Sequence, residues 1–208
     1  MTDELGLRER KKLRTRAAIS TAAIELFLER GFDAVGVAEV ARVAEVSKRT
    51  LFAYFPTKED LVLHRFADHE TDAADVVRAR RPGQGALAAL REAFLRGLAE
   101  REPVTGLCDA PAVLAVFRLV TRTPALAARL AEFTSAGESA LAAALAEAGV
   151  AEPDAGLAAA QIAAVRRTLA TANMAAVADG VPARQRFSGA VEAAERAFTL
   201  LSSGVGFG

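Results

Sequence analysis

The segment KRTLFAY, residues 48–54, combines basic, hydroxyl and aromatic side chains within two turns of a predicted helix. At about 100° per residue, Leu51 and Phe55 share one face, which leaves the polar side chains on the others. Amino, guanidinium and hydroxyl groups donate hydrogen bonds to phosphates and base edges, so such a helix suits the major groove of DNA. The alternative is a helical hairpin with a solvated polar face. Phe52 and Tyr54 argue against it, because large aromatic side chains are poorly suited to a merely solvated surface.

A second short helix and a tight turn are expected to position this segment. The apolar residues that recur at helical spacing before it are Val37, Val40, Ala41 and Ala44. Val46 is then expected to enter the core, and Ser47 to cap the next helix by accepting a backbone N–H. Together these residues predict two helices packed across each other, with the second one facing DNA.

A basic segment precedes this motif. Between residues 8 and 16 there are six basic residues and one acidic residue, Glu9. The basic residues are Arg8, Arg10, Lys11, Lys12, Arg14 and Arg16. Such a segment adds salt-sensitive attraction to phosphate, whatever the DNA sequence. A solvated tail followed by a first helical turn is the alternative, and the motif downstream favours the phosphate contact.

Several short motifs follow one another in a specific order in the first part of the chain. They are Arg14-Thr15-Arg16, Ala22-Ala23-Ile24-Glu25-Leu26-Phe27, Arg30-Gly31-Phe32, Val40-Ala41, Val46-Ser47, Thr50-Leu51-Phe52, Tyr54-Phe55 and Lys58-Glu59-Asp60-Leu61. This order resembles the N-terminal domain of TetR-type transcriptional regulators, in which the third helix is the recognition helix. The chain departs from the family at two positions: Glu45 stands where the turn usually has glycine, and Val37 where threonine is common.

The resemblance implies a bacterial, ligand-responsive repressor that binds double-stranded operator DNA. The predicted DNA-binding residues are Lys48, Arg49, Thr50, Phe52, Tyr54 and Lys58. Arg49 is expected to contact a base edge, most naturally guanine O6 and N7. Tyr54 and Lys58 are expected to contact phosphates, and Phe52 a thymine methyl group.

The composition is that of a folded protein, and the length is enough for one good core or two modest domains. The 208 residues are 52% apolar and 25% charged, and the net charge is zero. Cys108 is the only cysteine, which excludes an intramolecular disulfide; it is interpreted as a small apolar filler, with a reactive sensor thiol as the alternative. The N-terminus lacks the apolar run of a signal peptide, and no stretch approaches the length of a membrane span. We therefore expect a cytoplasmic protein with no membrane partner.

The periodicity predicts an all-α fold of about nine helices. The predicted ranges are 8–30, 37–44, 48–54, 57–80, 85–101, 109–121, 123–148, 154–178 and 182–202. A DNA-binding domain is assigned to residues 8–56 and a ligand-sensing and dimerisation domain to residues 57–203. The helix from about 58 to 80 is expected to connect the two domains.

The last two predicted helices are rich in small apolar residues, so they can pack within the chain or against a second copy. The resemblance implies the second arrangement, a homodimer whose two-fold symmetry matches a palindromic operator. Either way, a charge placed at Leu169 or Phe198 would be buried and is expected to disturb folding or association.

The second domain is larger than DNA binding requires, and its side chains suggest a mainly apolar site for a small-molecule effector. The candidate ligand-binding residues are Phe94, Phe117, Phe133, Arg166 and Met174. The aromatic residues and the methionine can equally be core. Arg166 and Arg167 diverge by about 100°, so one can face a cavity and orient an acidic ligand while the other faces solvent or a partner.

Three other interpretations carry less support. Four residues at helical spacing, His64, Asp68, Asp72 and Asp75, can line one helix face, but no second helix offers matching metal ligands, so no metal or other cofactor is expected. No catalytic constellation is present, so an enzyme is not predicted. A helical interaction module whose N-terminal domain binds protein remains the rival class, and salt dependence of DNA binding separates the two.

Overall fold

The computed structural model describes residues 6–203, and within them the chain forms ten α-helices, one short 3₁₀ helix and no strand. The α-helices are α1 (Leu7–Arg30), α2 (Val37–Val43), α3 (Lys48–Tyr54), α4 (Asp60–Asp68), α5 (Asp72–Arg78), α6 (Ala86–Glu100), α7 (Pro111–Arg122), α8 (Pro124–Glu147), α9 (Asp154–Ala178) and α10 (Ala183–Ser203). The 3₁₀ helix is Pro103–Thr105. The predicted all-α fold is confirmed.

The prediction of one continuous helix over residues 57–80 is wrong. Two helices, α4 and α5, occupy this region, and a turn at residues 69–71 separates them. Polar side chains bind one another there: His69 Nδ1 lies 2.8 Å from an Asp72 carboxylate oxygen, and Thr71 Oγ1 donates to Asp75 at 2.9 Å. Short polar side chains of this kind favour a turn and a new helix start over an uninterrupted helix.

The chain divides into two compact units. The first unit extends to Ala67 and also includes Ala115–Leu130; the second comprises Asp68–Leu114 and the described residues from Ala131 onward. Both α7 and α8 therefore contribute residues to each unit.

The first unit is built around an apolar core that belongs mainly to α1, α2, α3 and α4. Its fully buried side chains include Ile19, Ala23, Phe27, Val35, Val40, Leu51, Phe55, Leu61 and Leu63. Ser20 is buried among them, and its hydroxyl donates to the Leu61 carbonyl at 2.8 Å. Because this hydrogen bond satisfies a buried polar group, it fixes α4 against α1 without a desolvation penalty.

The second unit has its own core, formed by α5, α6, α9 and α10 together with the C-terminal part of α8. Phe94 and Phe198 pack there with ring centroids 6.1 Å apart. Phe198 is only 2% exposed, and Leu169 packs against the same cluster. The side chains of Phe198 and Leu169 therefore already pack within a single copy of the chain.

No single helix within residues 6–203 is long and apolar enough to cross a membrane; α7 and α8 meet that test only as a pair, and they are bent by 102°.

Candidate functional site

The α3 helix has one buried face and one exposed face. Leu51 and the following Phe55 are buried, as predicted from the helical period. The exposed residues of α3 are Lys48, Arg49, Phe52 and Ala53, and Thr50 and Tyr54 are half-buried at the edges. Phe52 retains 44% exposure, which is high for a large aromatic side chain. The arrangement gives α3 a mixed basic and aromatic outer surface.

The start of α3 is fixed by its predicted cap. The Ser47 hydroxyl accepts the backbone N–H of Thr50 at 2.9 Å, and the two side-chain hydroxyls lie 2.7 Å apart. This confirms Ser47 as the N-cap. The Thr50 hydroxyl is therefore partly engaged within the chain, whereas the Arg49 guanidinium and the Tyr54 hydroxyl make no hydrogen bond with any residue of the described range.

The turn between α2 and α3 closes through two backbone hydrogen bonds. The N–H of Val46 donates to Ala41 O at 2.9 Å, and that of Glu45 donates to Arg42 O at 3.2 Å. This is the Schellman pattern, and it places Glu45 in the left-handed region at φ 53°. Glycine is the residue that takes this conformation without a steric penalty, so the glutamate costs roughly 1 kcal/mol here. The chain nevertheless makes the tight turn that the resemblance requires.

Lys58 is placed differently from the other predicted DNA-binding residues. Its ammonium donates to the Phe32 carbonyl at 2.5 Å and lies 4.2 Å and 5.4 Å from the ring centroids of Phe32 and Phe27. These contacts hold the side chain against the end of α1. An ammonium has three N–H donors, so donors remain after the bond to the Phe32 carbonyl. A phosphate contact by Lys58 would use these remaining donors, and it stays a prediction.

The basic residues of α1 form an exposed surface. Those that are exposed are Arg8, Arg10, Lys11, Lys12 and Arg14. Arg16 is half-buried, with its guanidinium carbon 6.0 Å from the centroid of the Phe55 ring. The exposed residues can attract phosphate as predicted. Arg16 instead packs over Phe55, the residue that follows α3.

An ion pair within the first unit was not anticipated from the sequence. Arg129 Nε, in α8, donates to a carboxylate oxygen of Asp60 at 3.0 Å. The other Asp60 oxygen accepts the Thr57 N–H at 3.1 Å, and the Thr57 hydroxyl accepts the Asp60 N–H at 3.2 Å. The side chain of Asp60 is only 8% exposed, so its charge depends on these partners. Asp60 and Arg129 are 69 positions apart in the sequence, and nothing in the local sequence around either residue indicates that they pair.

The second unit contains a cavity of about 350 Å³. Two of the five candidate ligand-binding residues, Phe94 and Arg166, line it. Met174 is buried in the second unit, away from the cavity wall, and Phe133 is also absent from that wall. Phe117 belongs to the first unit. Apolar periodicity could not distinguish these positions, because core and cavity-lining residues share it.

Arg166 is the charged group of this cavity whose ionisation is most affected by its surroundings. Burial lowers the pKa of its guanidinium, and the negative charge of Asp72 partly opposes that shift.

No group of histidine, cysteine, aspartate and glutamate side chains within residues 6–203 is arranged to hold a metal ion.

Residues 19–64 match the sequence model described as "Bacterial regulatory proteins, tetR family". The transcriptional regulator TcmR of Streptomyces glaucescens is 34% identical to this chain over 134 residues, which are 64% of this chain but only 58% of that protein. The chain thus spans less than two thirds of that relative's length.

Two solved structures share the fold over most of the chain. NalD of Pseudomonas aeruginosa, described as the secondary repressor of a multidrug efflux pump, has a TM-score of 0.57 and 18% identity, covering 88% of this chain and 96% of that one. FadR of Bacillus subtilis, solved in complex with stearoyl-CoA, has a TM-score of 0.52 and 19% identity, covering 91% and 99%. The motif match and the relative agree with the geometry of α2 and α3: residues 19–64 are similar to the bacterial regulatory proteins of the tetR family, and the two solved structures share the all-helical fold.

Proposed function

We propose that this chain is a one-component transcriptional repressor that binds operator DNA through α3 and is released from it by a small molecule. The observation that carries the DNA-binding part is the exposed face of α3, with Arg49 and Phe52 outward and Leu51 buried behind them. Such a helix, held by a capped turn against α2, has the dimensions and the donors that the major groove accepts. The exposed basic residues of α1 would add phosphate contacts that do not depend on sequence.

The first test is binding of the purified protein to the DNA upstream of its own gene, measured by footprinting and by fluorescence anisotropy. We expect a protected site of two-fold symmetry and an affinity that falls steeply as salt rises from 50 to 200 mM. Absence of protection, or binding that does not respond to salt, would favour the rival function, docking of a protein partner by the first unit.

Replacing Arg49 by alanine should separate base contact from phosphate contact. If Arg49 contacts a guanine, its loss should cost about 1–3 kcal/mol on the operator and much less on random DNA. Tyr54→Phe, which removes only a hydroxyl, should instead weaken binding to both DNAs by similar amounts. Titration of both variants and of Lys58→Met on both DNAs checks these expectations. Operator affinity unchanged in all three variants would contradict the role proposed for this helix.

We also propose that the protein is a homodimer formed through α9 and α10. The large apolar side chains that these helices leave exposed include Leu157 on α9, at 59%, and Leu200 on α10, at 52%. In contrast, Phe198 is already buried within one copy, so a charge there tests folding and not association. The palindromic operator proposed above requires such a pairing, because two-fold DNA symmetry matches a two-fold protein.

The substitution Leu157→Asp is therefore expected to weaken dimerisation by at least about tenfold while leaving the helical content unchanged. Leu28→Asp on α1 is the matched control, because Leu28 is also exposed, at 46%, but lies in the first unit. Sedimentation velocity over a concentration series measures both. Equal dimerisation by the Leu157 variant and the wild-type protein would exclude this part of α9 from the interface.

The effector is proposed to be a small apolar or amphipathic molecule bound in the second unit. Two observations support this: the cavity beside Phe94 and Arg166, and the FadR structure, which holds stearoyl-CoA in a chain of the same fold. The NalD neighbour, described as a repressor, supports repression as the direction of control. A ligand can release DNA only if it binds the DNA-competent state less tightly than another state. Such a protein would act in the cytoplasm, where its operator is.

A further inference from the structure

The cavity of the second unit has an apolar wall and a charged wall. Its apolar lining comes from α5, α6 and the 3₁₀ segment and includes Val76, Leu90, Phe94 and Val104. Arg166 of α9 lines the same cavity. A volume of about 350 Å³ lies at the lower end of the range for small-molecule sites. The cavity therefore suits a compact molecule with one apolar part and one polar group.

The guanidinium of Arg166 has no partner of its own in this cavity. It makes no hydrogen bond and no ion pair with any residue between positions 6 and 203, and only the charge of Asp72 acts on it from a distance. Five N–H donors are thus left without acceptors from the protein. Arg166 is half-buried, and a partly desolvated cation is costly unless a ligand supplies the acceptors. A carboxylate matches the guanidinium with two parallel hydrogen bonds.

Two of the three acidic residues that line the cavity, Asp72 and Asp75, already have partners within residues 69–78. Asp72 binds His69 Nδ1 at 2.8 Å. Asp75 accepts from the Thr71 hydroxyl at 2.9 Å and lies 3.6 Å from the Arg78 guanidinium. The other two charged lining residues, Arg96 and Glu102, are of opposite sign and exposed to solvent. Arg166 is therefore the half-buried charge of this cavity that has no partner, and an anion is the ligand that it can bind.

The neighbouring Arg167 does not share this environment. It is exposed, and it is absent from the cavity wall. The sequence left open which of the two arginines faces a cavity, and the structure identifies Arg166. Arg167 is therefore a matched control, with the same side chain, one position along the same helix.

We propose that the effector of this protein is a small amphipathic organic anion, whose carboxylate binds the Arg166 guanidinium while its apolar body packs against Leu90 and Phe94. This inference rests on the proposed ligand response, but it concerns the charge class of the ligand and can be tested without DNA. It also defines Arg166 as a residue that determines specificity, since it distinguishes a carboxylate from its neutral isostere.

The test uses three probes with the same apolar body, 4-phenylbutyrate, 4-phenylbutyramide and 4-phenylbutylamine, titrated into the full-length protein by isothermal calorimetry. We expect the carboxylate to bind about tenfold to a hundredfold more tightly than the amide, because a hydrogen bond to a charged group is stronger than a neutral one. Arg166→Met should abolish that preference, Arg166→Lys should retain part of it, and Arg167→Met should leave it unchanged. Circular dichroism of each variant verifies that it folds.

Stronger binding of the amine, or no binding of the carboxylate at millimolar concentration, would overturn the proposal. A carboxylate preference that survives in the Arg166→Met variant would also overturn it. Displacement of operator DNA by 4-phenylbutyrate is measured separately. If the carboxylate binds through Arg166 but does not displace DNA, the charge class of the ligand is supported and the proposed switch is not.

Discussion

Replacing Arg129 by methionine is expected to destabilise the first unit by about 3 kcal/mol, because the substitution leaves the buried carboxylate of Asp60 without its cation. Removing one partner of a buried ion pair typically costs about 3–5 kcal/mol. The lower end applies here, since the Arg129 side chain remains 30% exposed and water already screens part of the interaction. Chemical denaturation followed by circular dichroism measures the loss.

Replacing the acidic partner of the ion pair should destabilise the first unit much less. In Asp60→Asn, an amide oxygen still accepts the Thr57 N–H and keeps the capping box at the start of α4. Arg129 then keeps its charge, but it is partly exposed and water can solvate it. A double variant, Asp60→Asn with Arg129→Met, removes both charges and is expected to be more stable than Arg129→Met alone.

The difference in stability between Arg129→Met and Asp60→Asn tests whether the ion pair holds α8 to α4 within the first unit. Asp60 lies at the start of α4, and Arg129 lies in a helix that contributes to both units. If Arg129→Met and Asp60→Asn destabilise the protein equally, the loss reflects packing and not a buried charge. In that case the ion pair is not what holds α8 to α4 within the first unit.

The α3 surface could be predicted from the sequence because every signal for it is local. The period of Leu51 and Phe55 defines the buried face, and Ser47 stands where a cap accepts the N–H three residues ahead. The turn was also predictable, although Glu45 adopts a conformation that favours glycine. The surrounding hydrogen bonds and packing outweigh the local preference at this one position.

Contacts between distant residues could not be predicted in the same way. The pairing of Arg129 with Asp60 depends on where α8 packs, and the period of α8 does not specify that. The break between α4 and α5 depends on side-chain bonds of His69 and Thr71 that compete with a continuous helix. The cavity also depends on packing: Phe94 lines it and Phe117 does not, although both are phenylalanines in amphipathic helices.

The other large effect is expected for Gly106→Ala, at the end of the 3₁₀ helix. Gly106 has φ 73°, and its N–H donates to Pro103 O at 3.0 Å. A Cβ at this position would lie 1.9 Å from the carbonyl oxygen of Ala170, in the backbone of α9. That oxygen belongs to a helix and cannot rotate away as a flexible side chain would, so the 3₁₀ segment or α9 must shift.

Gly180→Ala is the matched control for the backbone strain. Gly180 also has a positive φ, 97°, but a Cβ there meets no atom within 4 Å. Gly180→Ala should lower the free energy of unfolding by about 1–2 kcal/mol, the penalty for a side chain in the left-handed region. Gly106→Ala should add an overpacking penalty of about 1–3 kcal/mol and so lose about 2–5 kcal/mol in total. Denaturant unfolding of both variants compares them directly, and equal losses would contradict the close approach to α9.

The consequences of Gly106→Ala should extend to the cavity, because the same segment forms part of its wall. Val104 and Thr105 line the cavity beside Arg166, and the Thr105 carbonyl accepts from Asn173 Nδ2 of α9 at 3.0 Å. A shift of this segment away from α9 stretches that buried hydrogen bond and widens the cavity next to the guanidinium. Any Gly106→Ala protein that still folds should therefore bind 4-phenylbutyrate more weakly than Gly180→Ala protein does. If the two variants bind it equally, the 3₁₀ segment is a structural support only, and the carboxylate depends on Arg166 without help from this wall.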